Sequence, residues 1–333
     1  MQSSQTEARN GAAAAGRPVV AAMREVSKAF GEVVALRSID LDIAAGEIVG
    51  IIGPSGSGKT TAIRLLLGIY APTSGVVEVL GDDPAHFSRA DRERIGYLPQ
   101  FFVLYPDLTV YENLAFIAGT YGLGWIRRRR RINQLLDLLH LTDAKDRLAE
   151  NISGGMQRRL ELGAALINDP DLVILDEPTA GLDPVLRAEV WNTFREMQQH
   201  GRTLVVTTQY VTEAEYCDRV EVIDRGRIIS SGTPEELRRL ANGGDLVRLT
   251  IPDLDRATVR AIDAYPFVKR TEWSGGDVVQ LVVDQASQAI PALTERLHQD
   301  GFQFASIEEN REPFDQIFVR LVDRAADGQA VDR

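Results

Sequence analysis

An α/β fold built on a parallel sheet, with antiparallel strands before it, a helical subdomain inside it and a small α+β module after it, is what this chain of 333 residues predicts. Three observations predict it. First, the apolar run Glu47-Ile48-Val49-Gly50-Ile51-Ile52 meets the octapeptide Gly53-Pro54-Ser55-Gly56-Ser57-Gly58-Lys59-Thr60. The helix-forming Thr61-Ala62-Ile63-Arg64-Leu65-Leu66-Leu67 follows, giving a strand, a glycine-rich loop and a helix in sequence. Second, residues 172–175 and 203–207 are fully apolar runs separated by a helical stretch from about 185 to 199, the mark of strands covered on both faces. Third, the pattern changes after Ala241-Asn242-Gly243-Gly244. Strand 247–251, helix 256–264, a hairpin of 268–273 and 278–283, helix 289–299 and strand 302–307 follow in the order β-α-β-β-α-β, that of a small ferredoxin-like module.

Taken along the chain, residues 1–18 are rich in Ser, Gln, Gly and Ala and predict a disordered tail with neither a signal region nor an anchor. Val33-Val34-Ala35-Leu36 and Ile39-Asp40-Leu41-Asp42-Ile43 read as short strands leading to the loop strand, and residues 76–80 as another, closed by Gly81-Asp82-Asp83-Pro84. From 108 to 148 the pattern is helical, with Leu135, Leu136, Leu138, Leu139 and Leu141 in one apolar sector. The boundaries predicted are a main domain over 19–242 with its helical subdomain at about 101–165, the module over 245–322, and a terminal tail over 323–333.

The octapeptide is a complete G-x-x-x-x-G-K-[ST] loop, a cradle for a triphosphate. Glycines let successive N–H groups face phosphate oxygens, the helix N-terminus adds partial positive charge, Lys59 adds a full one, and Thr60 offers its hydroxyl to Mg²⁺. Leu172-Val173-Ile174-Leu175-Asp176-Glu177 ends an apolar strand in two carboxylates, delivered to the sheet edge beside that loop. Asp176 is expected to hold the Mg²⁺ shell, and Glu177 to polarise a water attacking the γ-phosphate as general base. Asn151-Ile152-Ser153-Gly154-Gly155-Met156-Gln157, ahead of an apolar helix, offers a second anion site made of a hydroxyl and free N–H groups.

Composition narrows the function. A net charge of −11 and a pI near 5.0 argue against a nucleic-acid binder. A single cysteine, Cys217, excludes an internal disulfide and suits a reducing cytosol. No apolar run approaches the ~18 residues that span a bilayer, so a membrane role would be peripheral. Arg127 to Arg131, next to Trp125, suits a contact to anionic lipid or a membrane subunit; in so acidic a chain a solvated helix start is the expectation. Arg158-Arg159 reads as helix surface or as support for the Ser-Gly-Gly turn.

With these motifs in this order, residues 19–242 resemble an ATP-binding cassette (ABC) ATPase, which implies a P-loop NTPase core of ABC type. By that resemblance Phe30 is the aromatic on which adenine stacks, and Gln100, in Gly96-Tyr97-Leu98-Pro99-Gln100, links Mg²⁺ to a transmembrane partner. Ser153, Gly154 and Gly155 are the signature, and Asp183 belongs to the dimer-interface loop. The nucleotide set implied is Phe30, Gly53, Pro54, Ser55, Gly56, Ser57, Gly58, Lys59, Thr60, Thr61, Gln100, Ser153, Gly154, Gly155 and Asp183. Thr60, Gln100 and Asp176 go to Mg²⁺, with Glu177, Gln209 and Lys59 catalytic.

Two departures stand out. Met156 replaces the signature's usual terminal Gln, and Gln209, in Thr207-Thr208-Gln209-Tyr210, replaces the usual switch histidine. An amide can hydrogen-bond a γ-phosphate but takes up no proton near neutral pH. Together with the appended module, these features resemble the daunorubicin-type drug and polyketide exporter ATPases. The resemblance implies MgATP hydrolysis at a dimer interface, homodimeric or between two different cassettes, driving a separate membrane permease from the cytoplasmic face of the cell membrane. A soluble ABC ATPase of DNA repair or translation and a low-turnover regulatory module are the alternatives.

Overall fold

The computed structural model describes residues 16–101 and 103–326, and these divide into two units, one up to residue 231 and one from residue 232. The expected tail over 1–18 lies outside the described residues up to residue 15; Pro18 already accepts a hydrogen bond from the Ala45 N–H at 2.8 Å.

In the first unit β1 (Val19–Phe30), β2 (Val33–Ala44) and β4 (Ser74–Val79) form an antiparallel sheet in the order β2-β1-β4. The two short runs read in residues 33–43 are one strand, whose pairing with β1 shifts register between Met23 and Ala29; Ser38 takes a positive φ of 48° within it. A second sheet has the order β5-β6-β7-β3-β8-β9, from β3 (Ile48–Ile52), β5 (Ile95–Leu98), β6 (Leu172–Asp176), β7 (Thr203–Thr208), β8 (Arg219–Asp224) and β9 (Arg227–Gly232). Its pairings from β5 through β8 are parallel. β5, β8 and β9 are not signalled by the sequence: β5 is four residues long and β8 begins and ends on charged residues.

Helix α1 (Lys59–Leu66) buries Ala62, Ile63, Leu65 and Leu66, too many for one stripe, because its surroundings include both sheets. Its neighbours in that core are Met23, Leu36 and Ile43 of the antiparallel sheet and Ile51, Ile174 and Val205 of the parallel one. α2 (Arg89–Glu93) precedes β5. The helical subdomain comprises α3 (Val110–Thr120), α4 (Trp125–Leu138) and α5 (Gly154–Leu166), packed on one another. Thr109 opens α3 with a capping box closed by Glu112. α6 (Pro184–Gln199) buries Trp191 and Phe194 and packs on β7.

The second unit holds α7 (Pro234–Asn242), β10 (Asp245–Thr250), α8 (Arg256–Asp263), β11 (Val268–Glu272), β12 (Val278–Val283), α9 (Ala286–Gln299), β13 (Ser306–Glu309) and α10 (Phe314–Ala326). Its antiparallel sheet runs β11-β12-β10-β13 over a core of Val247, Leu249, Val279, Leu281, Leu293 and Leu297. Three details differ from the sequence expectation. α9 starts earlier, at Ala286, because the Asp245 carboxylate accepts the Ala286 N–H at 2.9 Å. The last strand starts later: Phe302 and Phe304 pack on the core as loop residues, and pairing with β10 begins at Ser306 opposite Thr250. α10 was not foreseen and runs into the segment expected as a tail; it packs on α7, which places α7 in this unit.

Candidate active site

The carboxyl ends of β3, β6 and β7 converge. Register sets Asp176 opposite Thr207 and Ile52 opposite Thr208, so Gly53, Glu177 and Gln209 are the residues that leave three neighbouring strands at one edge.

At that edge the loop closes tightly. A side chain on Gly53 would place its Cβ 2.1 Å from the Ile223 carbonyl oxygen and 2.8 Å from Ser57 Oγ, and one on Gly58, at φ 114°, would meet Leu36 and the Ala35 carbonyl. Gly58 also serves as the helix N-cap without supplying a side-chain cap, leaving the first turn's N–H groups for a ligand. Among the described residues, Ser57 Oγ, which is buried, has no hydrogen-bond partner. An unpartnered hydroxyl, an uncapped helix start and glycines where only glycine fits are what a phosphate cradle requires. Gly53→Ala is therefore expected to cost about 1–3 kcal/mol through overpacking and to weaken ATP binding. Thermal melting and nucleotide titration check this, with Gly124→Ala, whose Cβ meets open space at a negative φ, as comparison.

Lys59, 4% exposed, donates from Nζ to the carbonyls of Gly53 at 2.9 Å and Pro54 at 3.1 Å, and lies 3.7 Å from Glu177 Oε1. Burial lowers its pKa, against which Glu177 and Asp176 favour the charged form. Thr60 Oγ1 donates to Asp176 Oδ1 at 3.3 Å, and Thr207 Oγ1 donates to the same oxygen at 2.6 Å. Thr60 and Asp176 thus pair a hydroxyl with a carboxylate, the hard oxygen donors that suit Mg²⁺ beside phosphate oxygens. Among the described residues no group of three His, Cys, Asp or Glu gathers for a metal.

Glu177 sits at φ 48°, in the left-handed region where a side chain other than Gly costs of order 1–3 kcal/mol. Its N–H donates to the Thr207 carbonyl at 3.0 Å and to Thr207 Oγ1 at 3.1 Å, which holds it there. Glu177 is 8% exposed, and its carboxylate accepts from Gln100 Nε2 at 3.0 Å, so Gln100 contacts Glu177. Phe30, 44% exposed, packs edge-on against Tyr70 with ring centroids 5.1 Å apart.

Ser153 caps α5, accepting the Met156 N–H at 3.3 Å. An added Cβ on Gly155 would lie 2.6 Å from Leu186 Cδ1, whose side chain would have to turn aside. Asp183 caps α6 through the N–H groups of Val185 and Leu186, while Gln209 is exposed beyond β7. Within the chain, Lys59, Thr60, Asp176, Glu177 and Gln100 are linked by direct contacts; the contacts of Ser153 and Asp183 are caps of their own helices.

Two groups of residues were missed. Arg158 is no surface residue: it donates to the carbonyls of Pro99, Asp176, Glu177 and Pro178 and pairs with Glu161 at 2.8 Å, all buried or half-buried. Thr179 Oγ1 donates to Glu213 Oε1 at 2.6 Å, and Arg187 lies 3.3 Å from the same carboxylate with its guanidinium over the Tyr210 ring. The loop after β6 is thereby tied to the loop after β7. Position relative to the Ser-Gly-Gly turn and to Asp183 hints at both arginines, but only the fold shows them turned inward. Cys217 is buried, and burial pushes its thiol pKa up, which fits a structural residue.

A phosphate loop, a strand ending in two carboxylates beside it and a Ser-Gly-Gly helix start tied to the end of that strand by Arg158 define an ATPase of the ATP-binding-cassette class. The ABC transporter family profile matches residues 36–180. The chain is 39% identical over 261 residues to the Nod factor export ATP-binding protein I of Paraburkholderia xenovorans, covering 78% of this chain and 85% of that one. With the daunorubicin resistance ATP-binding protein DrrA3 of Streptomyces coeruleorubidus it shares 35% identity over 88% of this chain and 93% of the other. A dimeric ATP-binding cassette in a post-hydrolysis state with ADP and Pi superimposes with a TM-score of 0.59 at 27% identity, over 64% of this chain and 98% of that one. The chain belongs to the ABC transporter family as an ATP-binding subunit, an ATPase.

Proposed function

We propose that this subunit binds MgATP on the Gly53–Thr60 loop and hydrolyses it in a dimer to drive export through a separate membrane permease. The observation that carries the reading is the direct contact of Glu177 with both Lys59 and Gln100 beside the Thr60–Asp176 pair. Lys59 and the first-turn N–H groups of α1 hold the phosphates, with Ser57 Oγ as a further donor. Thr60 and Asp176 hold Mg²⁺, which when bound offsets phosphate charge. Glu177 accepts the proton of the attacking water, and Gln100 orients that carboxylate. Phe30 supports the adenine through its exposed face.

Exposure of Ser153, Gly154, Asp183 and Gln209 supports a dimer in which one subunit's signature covers the partner's nucleotide. The named relatives act in Nod factor export and daunorubicin resistance, which favours an exporter over a repair or translation ATPase. Among the described residues no helix is long and apolar enough to cross a membrane, in keeping with a separate permease and a peripheral place on it. For the β10–β13 module we infer a ferredoxin-like fold from its β-α-β-β-α-β order and its strand order β11-β12-β10-β13. It serves as an accessory domain without nucleotide contacts.

Gln209 separates this reading from a regulatory module with little turnover. As a hydrogen-bonding sensor, its change to Ala should lower kcat by up to about 10²-fold. Gln209→His should keep much of the activity and add a pH limb near ~6.5. Steady-state phosphate release across that range, with and without Mg²⁺, tests both. Equal activity of wild type and Gln209→Ala would remove Gln209 from the site, and absence of Mg-dependent turnover in the dimer would overturn the ATPase reading.

A further inference from the structure

α4 presents a surface that ATP binding does not use. Trp125 and Ile126 at its start are 67% and 79% exposed, and Arg127, Arg129 and Arg130 stand exposed beside them. At 3.6 residues per turn, Ile126, Arg129, Arg130 and Asn133 share one side of the helix. The adjoining side buries Ile132, Leu135 and Leu136. Among the described residues no carboxylate pairs with the guanidinium of Arg127, Arg129 or Arg130. Arg131, next in the run, is committed to the Leu166 and Ile167 carbonyls and to Asp169. Asp137, the acidic residue further along the exposed side, accepts from Thr142.

A solvated helix start accounts for the arginines but not for an indole and a sec-butyl side chain held out among them. Unpaired cations around exposed Trp and Ile have the chemistry of an interfacial anchor: guanidiniums at the level of anionic headgroups, and the apolar pair inserted at the acyl boundary. The chain as a whole, these arginines included, carries a net charge of −11, which would keep the rest of it off such a surface and give the contact a direction.

We propose that the start of α4 docks this subunit directly on an anionic membrane surface through Arg127, Arg129, Arg130, Trp125 and Ile126, independently of nucleotide and of the permease. The test is flotation of the purified full chain with vesicles of phosphatidylglycerol and phosphatidylcholine, against phosphatidylcholine alone. Binding to the anionic vesicles only, weakened by added salt, is expected. Arg127, Arg129 and Arg130 changed together to Gln should lower partitioning roughly 100-fold, about fivefold per arginine, with thermal stability and ATP turnover unchanged. Trp125 is separable from Trp191, which is fully buried, and from half-buried Trp273. Its insertion should shift emission to the blue, and Trp125→Phe should abolish that shift. No binding to anionic vesicles, or full binding by the triple variant, overturns the proposal. So does a triple variant that loses only its association with the permease, since that outcome makes the face a protein contact.

Discussion

Glu177→Gln is expected to abolish turnover while leaving ATP bound, with kcat lowered by about 10²–10⁴-fold, the span of a lost general base. The amide keeps the shape and can still accept from Gln100, which donates at 3.0 Å. What disappears is the charge 3.7 Å from Lys59 and the capacity to take a proton. Lys59 keeps its two carbonyl acceptors, so the cradle stays formed. ATP, bound but not cleaved, should then hold two subunits together, and size exclusion with MgATP should show a dimer that wild type forms only transiently. Turnover at the wild-type rate would remove Glu177 from the base position.

The second large effect is on stability. Arg158→Met strips a buried cation from four carbonyls and leaves the Glu161 carboxylate, 4% exposed, without its partner; breaking a buried pair in this way costs about 3–5 kcal/mol. Burial already raises the Glu161 pKa, and Arg158 opposes that rise. In the variant the pKa climbs further, so the folded state binds more protons than the unfolded state and stability falls as pH rises through that value. Denaturant unfolding should therefore show a smaller loss near about pH 5.5 than near about pH 8. Adding Glu161→Gln should restore part of the stability at the higher pH. Equal losses at both pH values would show that removing Arg158 leaves the protonation of Glu161 unchanged over that range.

How legible these features were depended on how local their causes are. The phosphate loop, the carboxylate-terminated strand and the Ser-Gly-Gly turn are short stretches whose chemistry and context are written consecutively. Arg158 was not legible, because whether an arginine after a helix cap faces solvent or a neighbouring loop depends on which side of α5 the fold covers. The short strand Ile95–Leu98 gives too few residues for periodicity to speak. Phe302 and Phe304 alternate like strand residues, yet the alternation serves packing, and the ladder starts only at Ser306. Departures in the second unit, such as α7 siding with α10, come from contacts distant in sequence.

Arg158 has one more consequence. In the proposed dimer, the start of α5 reads the nucleotide held by the partner, while Arg158, little more than a turn further along the same helix, grips the backbone that carries Asp176 and Glu177 of its own subunit. A rigid helix whose first two turns touch both sites transmits displacement without any flexible intermediary. Two such helices related by twofold symmetry would make the pair of ATP sites a single mechanical circuit, in which arrival of the first nucleotide sets the geometry that the second one meets.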